Sequence, residues 1–283
     1  MTLQEFSDSF DTLLNSYASQ AQFGDEASKQ EIVLDEYEKS VLLTQAQDII
    51  LKSFFDRKQN SSGEGFDDST RRQVDFSSLI KAATLTKAAD QSTVFDDRGI
   101  IYKMPLRKYP VEVPATETVP AHIEWVEKAG TTDVLFILNE QLKSTVGTGE
   151  NAITKNYVIV PINYKEYDRE MTKAYAQPLK KQAWRLFQNN TQGFDIYSEL
   201  IPRWNLADTE TITTYKIRYI RRPCPIVLVD LPNELEIDGY TKAQECELNP
   251  ILHPEILQKA LEIAISTRGG LPNSRGSQNS NER

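Results

Sequence analysis

Apolar residues near the start of the chain recur every three or four positions, and this spacing predicts two helices. In residues 3–20 it joins Phe6, Phe10, Leu13, Leu14 and Tyr17 into one stripe. In residues 34–58 the stripe runs through Leu34, Tyr37, Val41, Leu42, Gln45, Ile49, Ile50 and Phe54, leaving Asp35, Glu38, Lys39, Asp48 and Lys52 for the wet face. Gly24 stops the first helix, and Asp25 or Ser28 offers a side-chain oxygen to the free amides that open the second. "QNSSGEGFDDST", residues 59–70, has the composition of a turn and reads as a loop within one fold. Residues 75–88 admit a short helix or an extended segment.

From residue 91 the period becomes that of strands. "TVFDDRGIIYKMP" predicts two short strands about a turn at Asp97, Arg98 and Gly99, the glycine supplying a positive backbone angle. Further β-type runs are "AHIEWVEKAG", "TTDVLFILN", "NYVIVPINYK", "QAWRLFQ", "FDIYSELIPR" and "ITTYKIRYIRRP". One helical rhythm, residues 164–182 up to Pro178, interrupts them. The last element, residues 253–270, has Pro254 in the first turn, Ile256, Leu257, Ala260, Leu261, Ala264 and Ile265 on one face, and Gly269 as stop.

This order predicts the α+β class: N-terminal helices packed with a C-terminal helix, and an antiparallel β domain, sandwich or open barrel, inserted between them. The expected parts are a helical part, 1–90, packing with 251–268; a β-rich domain with one inserted helix, 91–250; the C-terminal helix, 251–268; and a tail, 269–283, flexible or docked on a partner because it has too little apolar surface to order itself. Helices and strands do not alternate regularly, which disfavours a doubly wound nucleotide-binding sheet.

Composition narrows the function. No window approaches a membrane-spanning apolar run, so no membrane partner is expected. "MTLQEFSDSF" carries Glu5 and Asp8 where an export signal needs basic residues, so synthesis in a cytoplasm is expected. Residues 1–75 hold 15 acidic against 7 basic residues, −8 of the chain's formal net charge of −9. An acidic surface repels phosphate and argues against sequence-specific DNA binding.

Catalytic patterns are missing. Cys224 and Cys246 are too few for a disulfide framework or zinc site and read as small buried side chains; His122 and His253 lack a ligand-spaced partner. "VGTGEN", residues 146–151, lacks the Lys-Ser/Thr ending of a phosphate loop and reads as a hairpin turn. Adjacent acids such as Asp67/Asp68 and Asp96/Asp97 read as solvated turn residues. Trp125, Trp184 and Trp204 read as core. Neither a cofactor nor a metal is expected. The one basic cluster, "YKIRYIRRP", places Lys216, Arg218 and Arg222 on one strand face and Ile217, Tyr219 and Arg221 on the other, a stripe facing water or a partner.

Two stretches carry a family resemblance. "LDEYEKSVLLTQAQDIILKSFF" with "GEGFDDSTRRQVDFSSLI", and at the other end "IRYIRRPCPIVL" with "CELNPILHPEILQKALEIA", resemble virion structural proteins of crAss-like tailed bacteriophages. The likeness is to those of the neck, the ring or head-to-tail adaptor (connector) proteins beneath the portal. It implies a non-enzymatic protein of the virion, made in the bacterial host. It further implies a dodecameric ring that joins portal to tail and lines the channel through which double-stranded DNA passes without sequence-specific binding. The implied partners are copies of itself, the portal protein and other neck or tail rings. It assigns the portal contact to the tail, Arg268, Gly269, Gly270, Leu271, Arg275 and Arg283. Inter-subunit or portal contact falls to Gly63, Gly65, Phe66, Asp67, Asp68, Arg71 and Arg72 with Arg218, Arg221 and Arg222. The alternatives are a β-sandwich binding module of tail or fibre type and a hydrolase with carboxylate-held metal.

Overall fold

The computed structural model describes residues 1–21, 34–55, 74–115, 119–147, 152–173, 178–179, 181–189, 196–203, 210–232 and 234–267. Four α-helices lie among them: α1 (Leu3–Ala21), α2 (Glu36–Phe55), α3 (Tyr164–Met171) and α4 (His253–Thr267). The chain divides into two units, residues 1–78 with 223–283, and residues 79–222. The class is α+β, as the sequence predicts.

In the first unit, α1 and α2 both pack with α4. Phe6, Phe10 and Leu14 of α1, Leu43, Ala46, Ile50 and Leu51 of α2, and Ile256, Leu257, Ala260, Leu261 and Ala264 of α4 are buried. The face that α2 buries is rotated from the expected stripe. Ile49 and Gln45 are exposed, and Lys39, assigned to water, is buried. Leu13 and Tyr17 of the α1 stripe are likewise exposed.

The rotation has a polar cause. Ser40 Oγ accepts from the amide of Leu228, Thr44 Oγ1 from that of Ile226, and Gln47 Nε2 donates to the carbonyl of Cys224. Four helical residues advance about 6 Å and two extended residues about 6.7 Å, so the helix side chains keep step with alternate residues of the extended segment 224–228. The long Gln47 side chain makes up the shorter final step. The amides of Ile226 and Leu228 and the carbonyl of Cys224 thereby find partners that a strand would otherwise supply, while Val227 pairs with Gln244 on its other side. Lys39 Nζ donates to Ser7 Oγ (3.0 Å), Asp11 Oδ2 (2.7 Å) and Glu36 Oε1 (2.9 Å), fastening α2 to α1. Burial alone would push its ammonium pKa down, but the bonds and charges of Asp11 and Glu36 outweigh burial and raise it.

The second unit is a closed barrel with a two-stranded ribbon. Its strands are β1 (Ile80–Lys87), β2 (Ile100–Lys103), β3 (Leu106–Val113), β4 (His122–Thr132), β5 (Val134–Val146), β6 (Ile153–Pro161), β7 (Gln182–Asn189), β8 (Ile196–Pro202) and β9 (Glu210–Arg221). The barrel order is β1-β2-β8-β7-β6-β5-β9, and β9 closes it by pairing with both β5 and β1. Three register shifts along β5 and β9 bend this long pair, the kind of irregularity that lets a sheet curl shut. All barrel pairs are antiparallel except β6 with β7, whose connection carries α3. Asn163 caps α3 in a reciprocal capping box with Glu166, and the helix ends at Met171, before Pro178.

Alternation fills the barrel on both sides of its wall. Leu85, Tyr102, Leu142, Ala183, Leu200, Tyr215, Ile217 and Tyr219 belong to one core cluster. Trp184, Leu186 and Ile201 point the other way and pack against Tyr167 of α3.

One sequence expectation is resolved and two need correction. Of the two alternatives for residues 75–88, the extended one holds for most of the stretch: a single 3-10 turn, Ser77–Leu79, leads into β1. Residues 91–99 form turns and bends, not a strand, because the amides of Phe95 and Asp96 are held by the Glu199 carboxylate. Gly99 does not have the positive angle expected of it; a Cβ there would lie 2.0 Å from Glu199 Oε1 and 2.8 Å from the Asp96 carbonyl. Close approach, not turn geometry, requires the glycine.

Candidate assembly surfaces

The basic stripe is real over part of its length. On β9, Lys216 and Arg218 are exposed while Tyr215, Ile217 and Tyr219 turn into the barrel. Their register neighbours are Thr84 and Ala82 on β1 and Gln141 and Asn139 on β5, so no carboxylate stands directly beside either cation on the paired strands. Alternation fails at Ile220, which is buried next to buried Tyr219. Arg221 and Arg222 are half-buried, and the Arg222 amide donates to the Asp133 carbonyl (2.8 Å), so the strand end does not extend the exposed stripe.

The barrel wall holds four carboxylates in different polar settings. Glu199, fully buried, accepts from the amides of Phe95 and Asp96 (3.0 Å each), and burial pushes its pKa up against those bonds. Asp96 accepts from Arg98 Nε (2.8 Å) and the Tyr167 hydroxyl (2.6 Å); burial pushes its carboxyl up, but these donors prevail and hold it low. Inside the barrel, Glu140 accepts from Arg185 Nε (3.0 Å) and the Tyr215 hydroxyl (2.6 Å), and burial pushes the Tyr215 hydroxyl far up. Glu210 accepts from Ser144, from Tyr157 (2.7 Å) and from Lys155 (3.2 Å), donors that hold its pKa down despite burial. These carboxylates are taken up by donors of the protein itself and brace the wall. Among the described residues no group of three or more His, Cys, Asp or Glu side chains is placed to hold a metal.

The ribbon of β3 and β4 is different. His122 to Ala129 are consecutively exposed. Register places Pro110 beside Trp125 and Glu112 beside Ile123 on one face, and Tyr109 beside Val126 and Val111 beside Glu124 on the other. Trp125 is 51% exposed and Ile123 56%, contrary to the core position expected for the tryptophan. Arg107 and Lys128 lie 5.5 and 5.4 Å from the Tyr109 ring centre. At the foot of the ribbon a cavity of about 620 Å³ opens, lined among others by Val134, Leu135, Ile137, Phe187, Gln188 and Ile196. Gln188 Nε2 is buried there with no hydrogen-bond partner among the described residues.

Of the residues singled out in the sequence, Gly63, Gly65, Phe66, Asp67, Asp68, Arg71 and Arg72, and Arg268 to Arg283, lie outside the described residues, as does Trp204. Trp184 is buried as expected. Cys224 is buried and within 3.3 Å of the Tyr240 hydroxyl; burial pushes the Cys246 thiol up to about 11. Sequence reasoning missed the ribbon as a surface. Its signal was present: "HIEWVEK" mixes charged and apolar residues in both alternating sets, so neither strand face is purely apolar.

Braced wall, outward cations and an exposed apolar ribbon together describe a protein that presents contact surface, an assembly subunit by class. Comparison with known proteins gives the family. The family model for phage tail ring protein 3/4 matches residues 1–119 and 125–275, and the chain belongs to that family. It is 38% identical over 274 residues to ring protein 4/5 of Bacteroides phage crAss001, covering 95% of this chain and 94% of that one. It is 29% identical over 269 residues to ring protein 3 of the same phage, covering 95% and 96%. The resemblance to ring proteins of crAss-like phages read from the two ends of the sequence is thus confirmed, and it extends through the middle strands, where no motif was legible.

Proposed function

We propose that this chain is a non-catalytic structural subunit of a phage virion that closes with copies of itself into a ring. The ring is a dodecamer in the neck, joining portal to tail and enclosing the DNA channel. The observation that carries this reading is kinship with named ring proteins over nearly the full length of both chains. Subunit synthesis takes place in the bacterial host, and the ring's neighbours are the portal and further neck or tail rings.

The charge distribution supports a division of surfaces. Residues 1–75 carry a net −8 from 15 acidic and 7 basic residues, suited to a lumen through which DNA slides without sticking. Lys216 and Arg218 then face a neighbouring subunit rather than the lumen. Residues 63–72, with Arg218, Arg221 and Arg222, make inter-subunit or portal contacts, and residues 268–283 dock on the portal.

Light scattering on the purified full chain, alone and mixed with portal, tests the reading. The expected result is a single closed oligomer that binds portal; a stable monomer that ignores portal overturns it. Removal of residues 269–283 is expected to leave the oligomer intact and abolish portal capture. A lumen mapped as basic contradicts the assignment of the acidic surface.

A further inference from the structure

Building on the ring reading, we propose that the β3–β4 ribbon of one copy seats its Ile123, Trp125 and Pro110 face in the cavity at the ribbon foot of the next copy. A two-stranded ribbon alone is marginal in water, and this one exposes Ile123, Trp125, Val126 and Val111 along its length. Covering by a partner supplies what the ribbon lacks. The cavity is the complementary shape: concave, about 620 Å³, with Val134, Leu135, Ile137, Phe187 and Ile196 in its lining. Pockets of this size accept a group as large as an indole.

Polarity matches as well. Gln188 Nε2 donates to nothing among the described residues although buried. A strand edge presents backbone carbonyls, the kind of acceptor that this amide takes.

Placement selects a second copy as the occupant. The cavity is lined by Met104, Thr132 and Val134, which flank the point where Leu106 pairs with Thr132 at the base of the ribbon. Ile123 stands at the other end, beside Glu112. Nine residues of β4 separate Ile123 from Thr132, roughly 30 Å of strand, so a ribbon cannot fill the cavity at its own foot. A protruding apolar element at one end and its receptacle at the other make a head-to-tail contact. Such a contact is heterologous and closes into a ring when the rotation between copies allows.

Two preparations of the full chain test the joint, one carrying Ile123→Cys and one Leu135→Cys. Mixed and assembled under mild oxidation, they are expected to give disulfide-linked dimers that neither gives alone. Ile123→Asp with Trp125→Asp is expected to keep the melting temperature that the wild-type chain shows at a concentration too low for rings, both positions being exposed on the single chain. Its ring fraction should fall at least about tenfold at equal concentration. Wild-type rings without the cross-link, together with the double variant assembling normally, overturn the joint and leave the ring reading standing. A double variant that forms rings but no longer binds a neighbouring ring or portal reassigns the ribbon to that partner and equally overturns it. A wild-type chain that stays monomeric overturns the ring reading and the joint with it.

Discussion

The barrel wall and the ribbon are built from the same 79–222 unit, yet they treat polar and apolar groups in opposite ways. In the wall, Glu199, Asp96, Glu140 and Glu210 are each taken up by donors a few ångströms away, and the apolar side chains are divided between two cores. In the ribbon, Trp125 and Ile123 are more than half exposed and charged side chains alternate with them. A region whose groups are paired internally is a scaffold. A region that leaves large apolar side chains in water is shaped for something outside the chain.

Substitutions should separate the two regions, the wall first. Leu200→Ala removes a fully buried side chain from the barrel core and is expected to cost about 2–5 kcal/mol in denaturant unfolding. Loss below that range would mean the barrel interior is loosely packed. Next is Gly99→Ala, whose Cβ would collide with Glu199 Oε1 at 2.0 Å; a loss of about 2–3 kcal/mol is expected. A neutral effect would mean that the 95–99 turn shifts freely and does not brace the wall.

The wall's acids give a pH signature. Asp96 and Glu210 are held low when folded, so their contribution is present above the unfolded carboxyl pKa and lost as pH falls through the folded value. Glu199 is raised, so its contribution is present below the unfolded value and lost as pH rises through the folded one. In unfolding measured from pH 7 to pH 3, the stability gap between wild type and Asp96→Asn should therefore narrow on acidification. The gap for Glu199→Gln should widen. Parallel behaviour of the two variants would contradict the opposite settings of these carboxyls.

The smallest effect belongs to the ribbon. Measured at a concentration too low for rings, Trp125→Ala is expected to change unfolding free energy by less than about 0.5 kcal/mol, a surface value for a residue that would cost several times more in a core. A large loss would place Trp125 in the fold's own packing and remove the contrast.

How far the sequence reaches follows from the same physics. Helices α1 and α4 were legible because one apolar face of each meets a core, and the β5–β6 hairpin because Gly147 sits where a turn interrupts two strand-like runs. The buried face of α2 was not, because Ser40, Thr44 and Gln47 are buried through bonds to a segment some 180 residues away in sequence, which no periodicity of α2 records. Lys39 was misplaced for the same reason: its partners Ser7 and Asp11 lie on another helix. Barrel closure depends on β9 pairing with β1, a long-range register that alternation leaves open. As to candidate surfaces, the Lys216 and Arg218 side of β9 could be read because strand alternation is local. The ribbon was signalled only by the mixed faces of "HIEWVEK", which show that neither face is purely apolar but not how far the strand is exposed, because exposure depends on what the rest of the chain leaves uncovered.

Electron micrographs of the purified full-length chain test the central claim most directly. The account predicts closed rings of one size with a central opening; a field of monomer-sized particles at every concentration examined would contradict it.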